Sequence, residues 1–70
     1  MRGIYDYPYT RSEWAGLIDA YIFSERDRAI LKRRMLDGIT YEALAEEVDM
    51  SPAQIKRIVK TNMDRLIKRL

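Results

Sequence analysis

The chain of 70 residues contains no cysteine and no histidine. The absence of cysteine excludes a disulfide framework and thiolate-bound metal, and it is typical of proteins in the reducing cytoplasm. The absence of histidine removes the most common general base and the usual zinc ligand. A glycine-rich phosphate loop is also missing, and the adjacent carboxylates Glu46 and Glu47 do not converge on one site of a helix. We therefore expect no cofactor and no enzymatic activity.

Long apolar runs are missing as well. None approaches the roughly 20 residues that a membrane-spanning helix requires. The first ten residues, MRGIYDYPYT, lack the apolar segment of a signal peptide. These absences predict a cytoplasmic protein with no membrane partner.

The length of the chain allows one domain with a modest core. A domain of this size is marginally stable, so a homodimer could contribute to its stability. We divide the chain into a tyrosine-rich arm, residues 1–10, and a helical domain, residues 11–70. We expect the arm to pack Tyr5, Tyr7 and Tyr9 on the helices. Contact with a partner or with a DNA backbone is the alternative.

Helix boundaries are indicated by polar caps and by one glycine. The candidate N-caps are Thr10, Ser24, Thr40 and Ser51. Thr10 has the capping-box spacing to Glu13, although Ser12 could cap instead. Pro52 suits the first position of the last helix, and Gly38 can end the second helix because glycine adopts positive φ at little cost. The predicted fold is an all-α, four-helix bundle with helices at about 11–22, 25–37, 41–48 and 52–69.

Apolar residues recur in each segment at the three- and four-residue steps of one helical face. In the first helix they are Trp14, Leu17, Ile18, Tyr21 and Ile22, with Trp14 as the main core anchor. In the second they are Ile30, Leu31, Met35 and Leu36, and in the third Leu44, Ala45 and Val48, with Tyr41 at the edge. In the fourth they are Ile55, Ile58, Val59, Met63 or Asn62, Leu66, Ile67 and Leu70. We expect the second half of the fourth helix to pack on the first two helices.

The formal net charge of +2 conceals an uneven distribution. Residues 1–51 carry seven basic and ten acidic side chains, net −3, whereas residues 52–70 carry six basic and one acidic, net +5. The fourth helix therefore concentrates positive potential, which favours a polyanionic partner. The second helix is also basic on its outer side; there a solvated face is the default interpretation, and phosphate contact from one or two side chains is secondary.

The break between the third and fourth helices has the residue types of a helix-turn-helix. This motif needs a small residue where the helices cross, an apolar residue before the turn, a left-handed turn position and apolar anchors in the second helix. The matching residues are Ala45, Val48, Asp49, Ile55 and Ile58; from Ala45 the others follow at 3, 4, 10 and 13 positions. Asp49 replaces the commoner glycine at a mild cost, because aspartate tolerates that conformation better than most residues.

An inward-facing apolar stripe turns the polar residues at the start of the fourth helix outward. Glutamine can bond an adenine edge, arginine or lysine can bond guanine, and any cation there can bind phosphate. Hydroxyls and helix N-terminal amides are further phosphate ligands. The candidate DNA-binding residues are Thr40, Ser51, Ala53, Gln54, Lys56, Arg57 and Lys60. The alternative is that Ser51 and Pro52 only start a helix and that the basic side chains are solvated.

The segment from Glu25 to Leu70, ERDRAILKRRMLDGITYEALAEEVDMSPAQIKRIVKTNMDRLIKRL, resembles region 4 of bacterial sigma factors, which recognises the −35 promoter element. The resemblance is carried by R-x-I-L, L-D-G-I-T-Y-E-x-L-A-E-E and S-x-x-Q-I-K-R-I, and it covers about two-thirds of the chain. It implies a tetrahelical helix-turn-helix fold and DNA contacts from the fourth-helix candidates and Ser51. One departure is Arg33, which stands where the family usually has an apolar residue.

The resemblance leads to two functional hypotheses. The chain has no room for the sigma-factor regions that bind core polymerase strongly and open the promoter. We therefore expect a small, stand-alone transcriptional regulator of phage or mobile-element type. The first hypothesis is sequence-specific binding of double-stranded DNA through helix 52–69 in the major groove, as a dimer, since one helix reads few bases. The second is a protein-interaction module for RNA polymerase or another regulator, motivated by the acidic third helix and the tyrosine-rich arm.

Overall fold

The computed structural model describes residues 9–69, and this part of the chain folds into four helices with no strand. They are α1 (Arg11–Tyr21), α2 (Glu25–Met35), α3 (Tyr41–Val48) and α4 (Pro52–Ile67). The prediction of an all-α, four-helix bundle is confirmed. The predicted arm residues 1–8 and the predicted core position Leu70 lie outside the described residues. None of the four helices is long and apolar enough to cross a membrane.

The helices begin where the caps predict. The Thr10 hydroxyl accepts a hydrogen bond from the Glu13 N–H at 3.2 Å, and the Glu13 carboxylate accepts from the Thr10 N–H at 3.1 Å. This reciprocal pair shows that Thr10, not Ser12, caps α1. Ser24 and Thr40 accept from the N–H three residues on, at 3.3 Å and 3.2 Å. Each cap satisfies a donor that the helix itself leaves unpaired.

Three of the four helices end earlier than predicted: α1 by one residue, and α2 and α4 by two residues each. The backbone at Ile22 is already extended (φ −108°, ψ 114°), so the side chain reaches the core from beyond the helix. At the end of α2, the carbonyls of Lys32 and Arg33 accept from the N–H groups of Asp37 and Ile39, both at 3.3 Å, and the last turn opens. Gly38 has the predicted positive φ, 69°.

The core is formed by the predicted faces of all four helices, and α4 contacts each of the other three. Helix α4 contacts both α1 and α2, and Asn62 in its second half bonds to Asp27 of α2. Trp14 is buried as the anchor of α1, and Tyr9, the described end of the arm, meets it edge-on with ring centroids 5.3 Å apart. The buried apolar side chains are Trp14, Ile18, Ile22, Ile30, Leu31, Met35, Leu44, Ala45, Ile55, Val59, Met63 and Leu66.

One predicted core position is exposed, and both alternatives for another are buried. Tyr21 was predicted to face inward but is 39% exposed, because Ile18 and Ile22 close the core and leave the tyrosine on its flank. Asn62 is buried alongside Met63, and its amide donates to the Asp27 carboxylate at 3.1 Å and to the Ile58 carbonyl at 2.9 Å. The Asn62 Oδ1 atom has no partner among residues 9–69, which is costly at a buried position.

Arg33 lies at the centre of an ion-pair network at the end of α2. Its guanidinium donates two hydrogen bonds to the Glu47 carboxylate of α3, one of them at 3.0 Å, and one to Asp37 at 2.9 Å. Asp37 also accepts from Arg11 at the start of α1. A bidentate arginine–carboxylate pair fixes geometry as well as charge. The network therefore ties α1 and α3 to the end of α2.

This network makes stability depend on pH. The hydrogen bonds from Arg11 and Arg33 lower the pKa of Asp37 below its ordinary 3.8, and the hydrogen bond from Arg33 lowers the pKa of Glu47 below 4.5. Since both folded-state pKa values are depressed, the stabilisation is fully present above the ordinary values and is lost progressively as the pH falls from them through the lower folded-state values. The free energy of unfolding, measured by urea denaturation, should therefore begin to fall below about pH 5 and should continue to fall below the ordinary pKa values of the two acids.

The variants Glu47→Gln and Asp37→Asn should be less stable than the wild type at pH 7. On acidification, their free energy of unfolding should fall by less than that of the wild type. Glu46→Gln is the matched control, because that exposed carboxylate takes no part in the network. Equal acid sensitivity of Glu47→Gln and Glu46→Gln would contradict the assignment.

Candidate nucleic-acid interface

The connection between α3 and α4 is a three-residue turn, Asp49, Met50 and Ser51. Asp49 has left-handed dihedral angles, φ 56° and ψ 50°, and it is the one residue other than glycine with positive φ in the described part of the chain. The N–H groups of Asp49 and Met50 both donate to the Ala45 carbonyl, the latter at 2.9 Å. The predicted left-handed turn position is confirmed.

The other four spacing positions are all buried or half-buried. Ala45, the small residue, is 4% exposed and lies in the core. Ile55 is fully buried, while Val48 and Ile58 are half-buried and pack against the core cluster. A larger side chain at Ala45 would have to be accommodated in close-packed surroundings. These contacts hold α4 at a defined orientation relative to α3.

The start of α4 contains a capping box that the sequence interpretation missed. The Gln54 N–H donates to the Ser51 hydroxyl at 3.2 Å, and the Gln54 Oε1 atom accepts from the Ser51 N–H at 2.9 Å. The spacing of serine and glutamine is itself a capping-box signal. The Gln54 side chain is therefore already engaged in capping α4. To bond an adenine edge through both amide atoms, it has to give up its hydrogen bond with the Ser51 N–H.

All seven predicted site residues are exposed. Four of them occupy one face of α4 at steps of three, four and seven residues: Ala53, Lys56, Arg57 and Lys60. Ser51 and Gln54 stand at the start of the same helix, whereas Thr40 stands apart as the N-cap of α3. The structure thus brings six of the seven predicted residues to the first half of α4 and leaves Thr40 apart from them.

The ring of Tyr41 contacts two cations next to the exposed face of α4. The Arg34 guanidinium lies 4.3 Å from the ring centroid of Tyr41, and the Lys56 ammonium lies 5.6 Å from it. Such stacking holds a cation over an aromatic face, and Arg34 is also held by donating to the Ile39 carbonyl at 2.9 Å. We add Arg34 and Tyr41 to the candidate interface. The sequence alone could not reveal this cluster, because its three side chains come from α2, α3 and α4 and meet only when the helices pack.

The ion pairs are confined to the part of the described chain that precedes α4. Within residues 9–69, both members of every ion pair lie in the first three helices or in the segments that connect those helices. No cation of α4 pairs with a described carboxylate. The exposed cations Lys56, Arg57 and Lys60 therefore carry charge that no described carboxylate neutralises, which is the electrostatic condition for binding an external anion.

No protein-family model, curated protein or solved structure was found to match the chain. Functional inference therefore rests on the residues and geometry of this chain.

The left-handed turn generates a stability prediction at Asp49. Asp49→Val should lower the free energy of unfolding by about 1–2 kcal/mol, since a β-branched residue at positive φ is strained. Asp49→Gly should remain within about 1 kcal/mol of the wild type, because glycine relieves the same strain but loses more chain entropy on folding. Chemical denaturation of the two variants measures the difference. Equal stabilities would contradict a turn held in the left-handed region.

Proposed function

We propose that the protein binds double-stranded DNA in a sequence-specific manner, with the first half of α4 in the major groove. The observation that carries the proposal is the row of exposed cations on α4, directly after the left-handed turn, which form no ion pair with any described carboxylate. In a helix-turn-helix, the second helix presents its N-terminal residues to base edges while the first helix braces it.

The side chains suggest a division of labour. Arg57 can bond guanine in the bidentate geometry that a guanidinium provides, and Ala53 lets the helix approach the bases closely. Lys60, Lys56 and Arg34 can neutralise phosphates on either side of the groove. Tyr41 would keep Lys56 and Arg34 in position, because both cations stack on its ring. Phosphate contacts supply affinity and orientation, whereas Arg57 supplies sequence preference.

We further propose that the protein is a small cytoplasmic transcriptional regulator that resembles region 4 of sigma factors and acts as a dimer. The resemblance of residues 25–70 and the spacing from Ala45 to Ile58 support this proposal. The exposed face of α4 spans Ala53 to Lys60, which is about 10 Å along the axis at 1.5 Å per residue. A single copy would therefore touch few base pairs, and a second copy would double the length of the site.

The test is a random-site selection with purified protein, followed by salt titration of the selected duplex. Binding should weaken steeply with salt, since each phosphate contact releases counterions. Lys60→Ala should weaken binding to all duplexes and reduce the salt slope by about one. Arg57→Ala should cost about 1–3 kcal/mol on the selected site and relax preference at one base position.

Arg26→Ala is the matched control, because Arg26 is exposed on α2 and pairs with Asp27, away from the start of α4. It should bind like the wild type. A selection that returns no enriched site, or affinity that does not respond to salt, would overturn the proposal.

A second candidate function is an interaction with RNA polymerase. It is favoured by Glu42 and Glu46, which are exposed on α3 and pair with no cation of residues 9–69. Purified polymerase should be retained by the immobilised protein in the absence of DNA, and the double variant Glu42→Gln, Glu46→Gln should release it. Retention that is unchanged in this variant would remove α3 from the contact.

A further inference from the structure

We propose that a groove at the far end of the bundle binds single-stranded nucleic acid, independently of duplex binding by α4. The groove encloses about 490 Å³ and is open to solvent. Its lining consists of two aromatic rings and three cations: Tyr21, Phe23, Arg65, Lys68 and Arg69. None of the five is acidic, and none belongs to the candidate duplex interface.

The rings are exposed because of how α1 ends. Ile22 turns into the core immediately after the helix and is 2% exposed, which sends its neighbours outward. Phe23 lies in the short connection between α1 and α2 with 84% of its surface exposed. Packing does not explain a phenylalanine in this position, because the side chain contributes almost no buried area. Phe23 shares its groove with Tyr21, the other large exposed ring of the described chain, and adjoining apolar groups with a polar rim are typical of interaction sites.

The cations come from the end of α4 and the two residues after it: Arg65 lies in the last turn, Lys68 is the C-cap, and Arg69 follows. Arg65, Lys68 and Arg69 follow at steps of three and four residues, so they lie on one side of the chain. No carboxylate among residues 9–69 pairs with any of them. The Arg69 guanidinium lies 5.6 Å from the ring centroid of Tyr21, which leaves the groove with cations and aromatic faces side by side. Complementing the helix dipole accounts for basic residues here, but it does not account for the rings.

Single-stranded nucleic acid can bind both the cations and the aromatic rings of the groove. Its phosphates are a repeated anion, and its unpaired bases present faces that stack on aromatic side chains and on arginine. A duplex matches only the cations, because its base faces are stacked on one another. An acidic peptide matches the cations too, but it uses the rings only if it carries an apolar residue between its carboxylates. The combination of two aromatic rings with three cations and no carboxylate therefore favours a strand of nucleotides.

The two sites are separate on the molecule. Arg57 and Lys68 are eleven residues apart, which corresponds to roughly 16 Å along a helix axis. Substitutions in one site can therefore be made without touching the other, and failure of duplex binding leaves this proposal intact.

The experiment is fluorescence anisotropy of the full chain with a labelled ten-nucleotide oligothymidylate at low salt. Phe23→Ala should weaken binding at least about fivefold, the lower end for loss of one stacked base, and Phe23→Leu should do the same because it keeps apolar bulk without a ring. Phe23→Trp should restore binding. Lys68→Glu should weaken binding further than Lys68→Ala.

Lys60→Ala is the matched control on the same helix. It should leave oligothymidylate affinity within about twofold while weakening duplex binding. The proposal is overturned if the oligonucleotide does not bind, if Phe23→Leu binds like the wild type, or if Lys60→Ala and Lys68→Ala weaken binding equally. It is also overturned if an aspartate-rich decapeptide with one central leucine competes for the groove more strongly than the oligonucleotide. Circular dichroism spectra that match the wild type establish that each variant is folded.

Discussion

The buried stripe of α4 is the constraint on which the rest of the structure depends. Ile55, Val59, Met63 and Leu66 are buried, and the helix that carries them contacts α1, α2 and α3. A small domain has one core, so the helix at its centre fixes which surfaces remain outside. With this stripe inward, the start of α4 must present its cations beside the turn, and its end must present them beside α1. Both proposed binding surfaces are consequences of how one helix is packed.

Charge is segregated around that helix. The arginines of α1 and α2 hold the carboxylates of Asp37 and Glu47, and these contacts lower the pKa values of both acids. The cations of α4 have no such partners in the described chain. Exposed ion pairs add little stability individually, but here they remove carboxylates that would otherwise compete for α4. The uneven charge of the sequence is therefore preserved in space, where a polyanion can meet it.

Sequence reasoning succeeded where the physics is local. A hydroxyl three residues before a free N–H caps a helix whatever surrounds it, so the starts at Thr10, Ser24, Thr40 and Ser51 could be predicted. Helix ends depend on tertiary packing as well, and α2 was predicted two residues too long. The inward face of α1 was predicted correctly except at Tyr21, where helical spacing alone could not show that Ile22 closes the core from an extended backbone.

The sequence by itself determined four helices, their caps, the left-handed turn at Asp49 and the concentration of cations in α4, because spacing, capping and charge are properties of neighbouring residues. Tertiary structure alone decided three features: the pairing of Arg33 with Glu47, the stacking of Arg34 and Lys56 on Tyr41, and the groove that joins Phe23 to Arg65. Each brings together residues that are distant in the sequence and belong to different elements of the fold. Such contacts follow from the way whole helices pack, and no local pattern encodes that geometry.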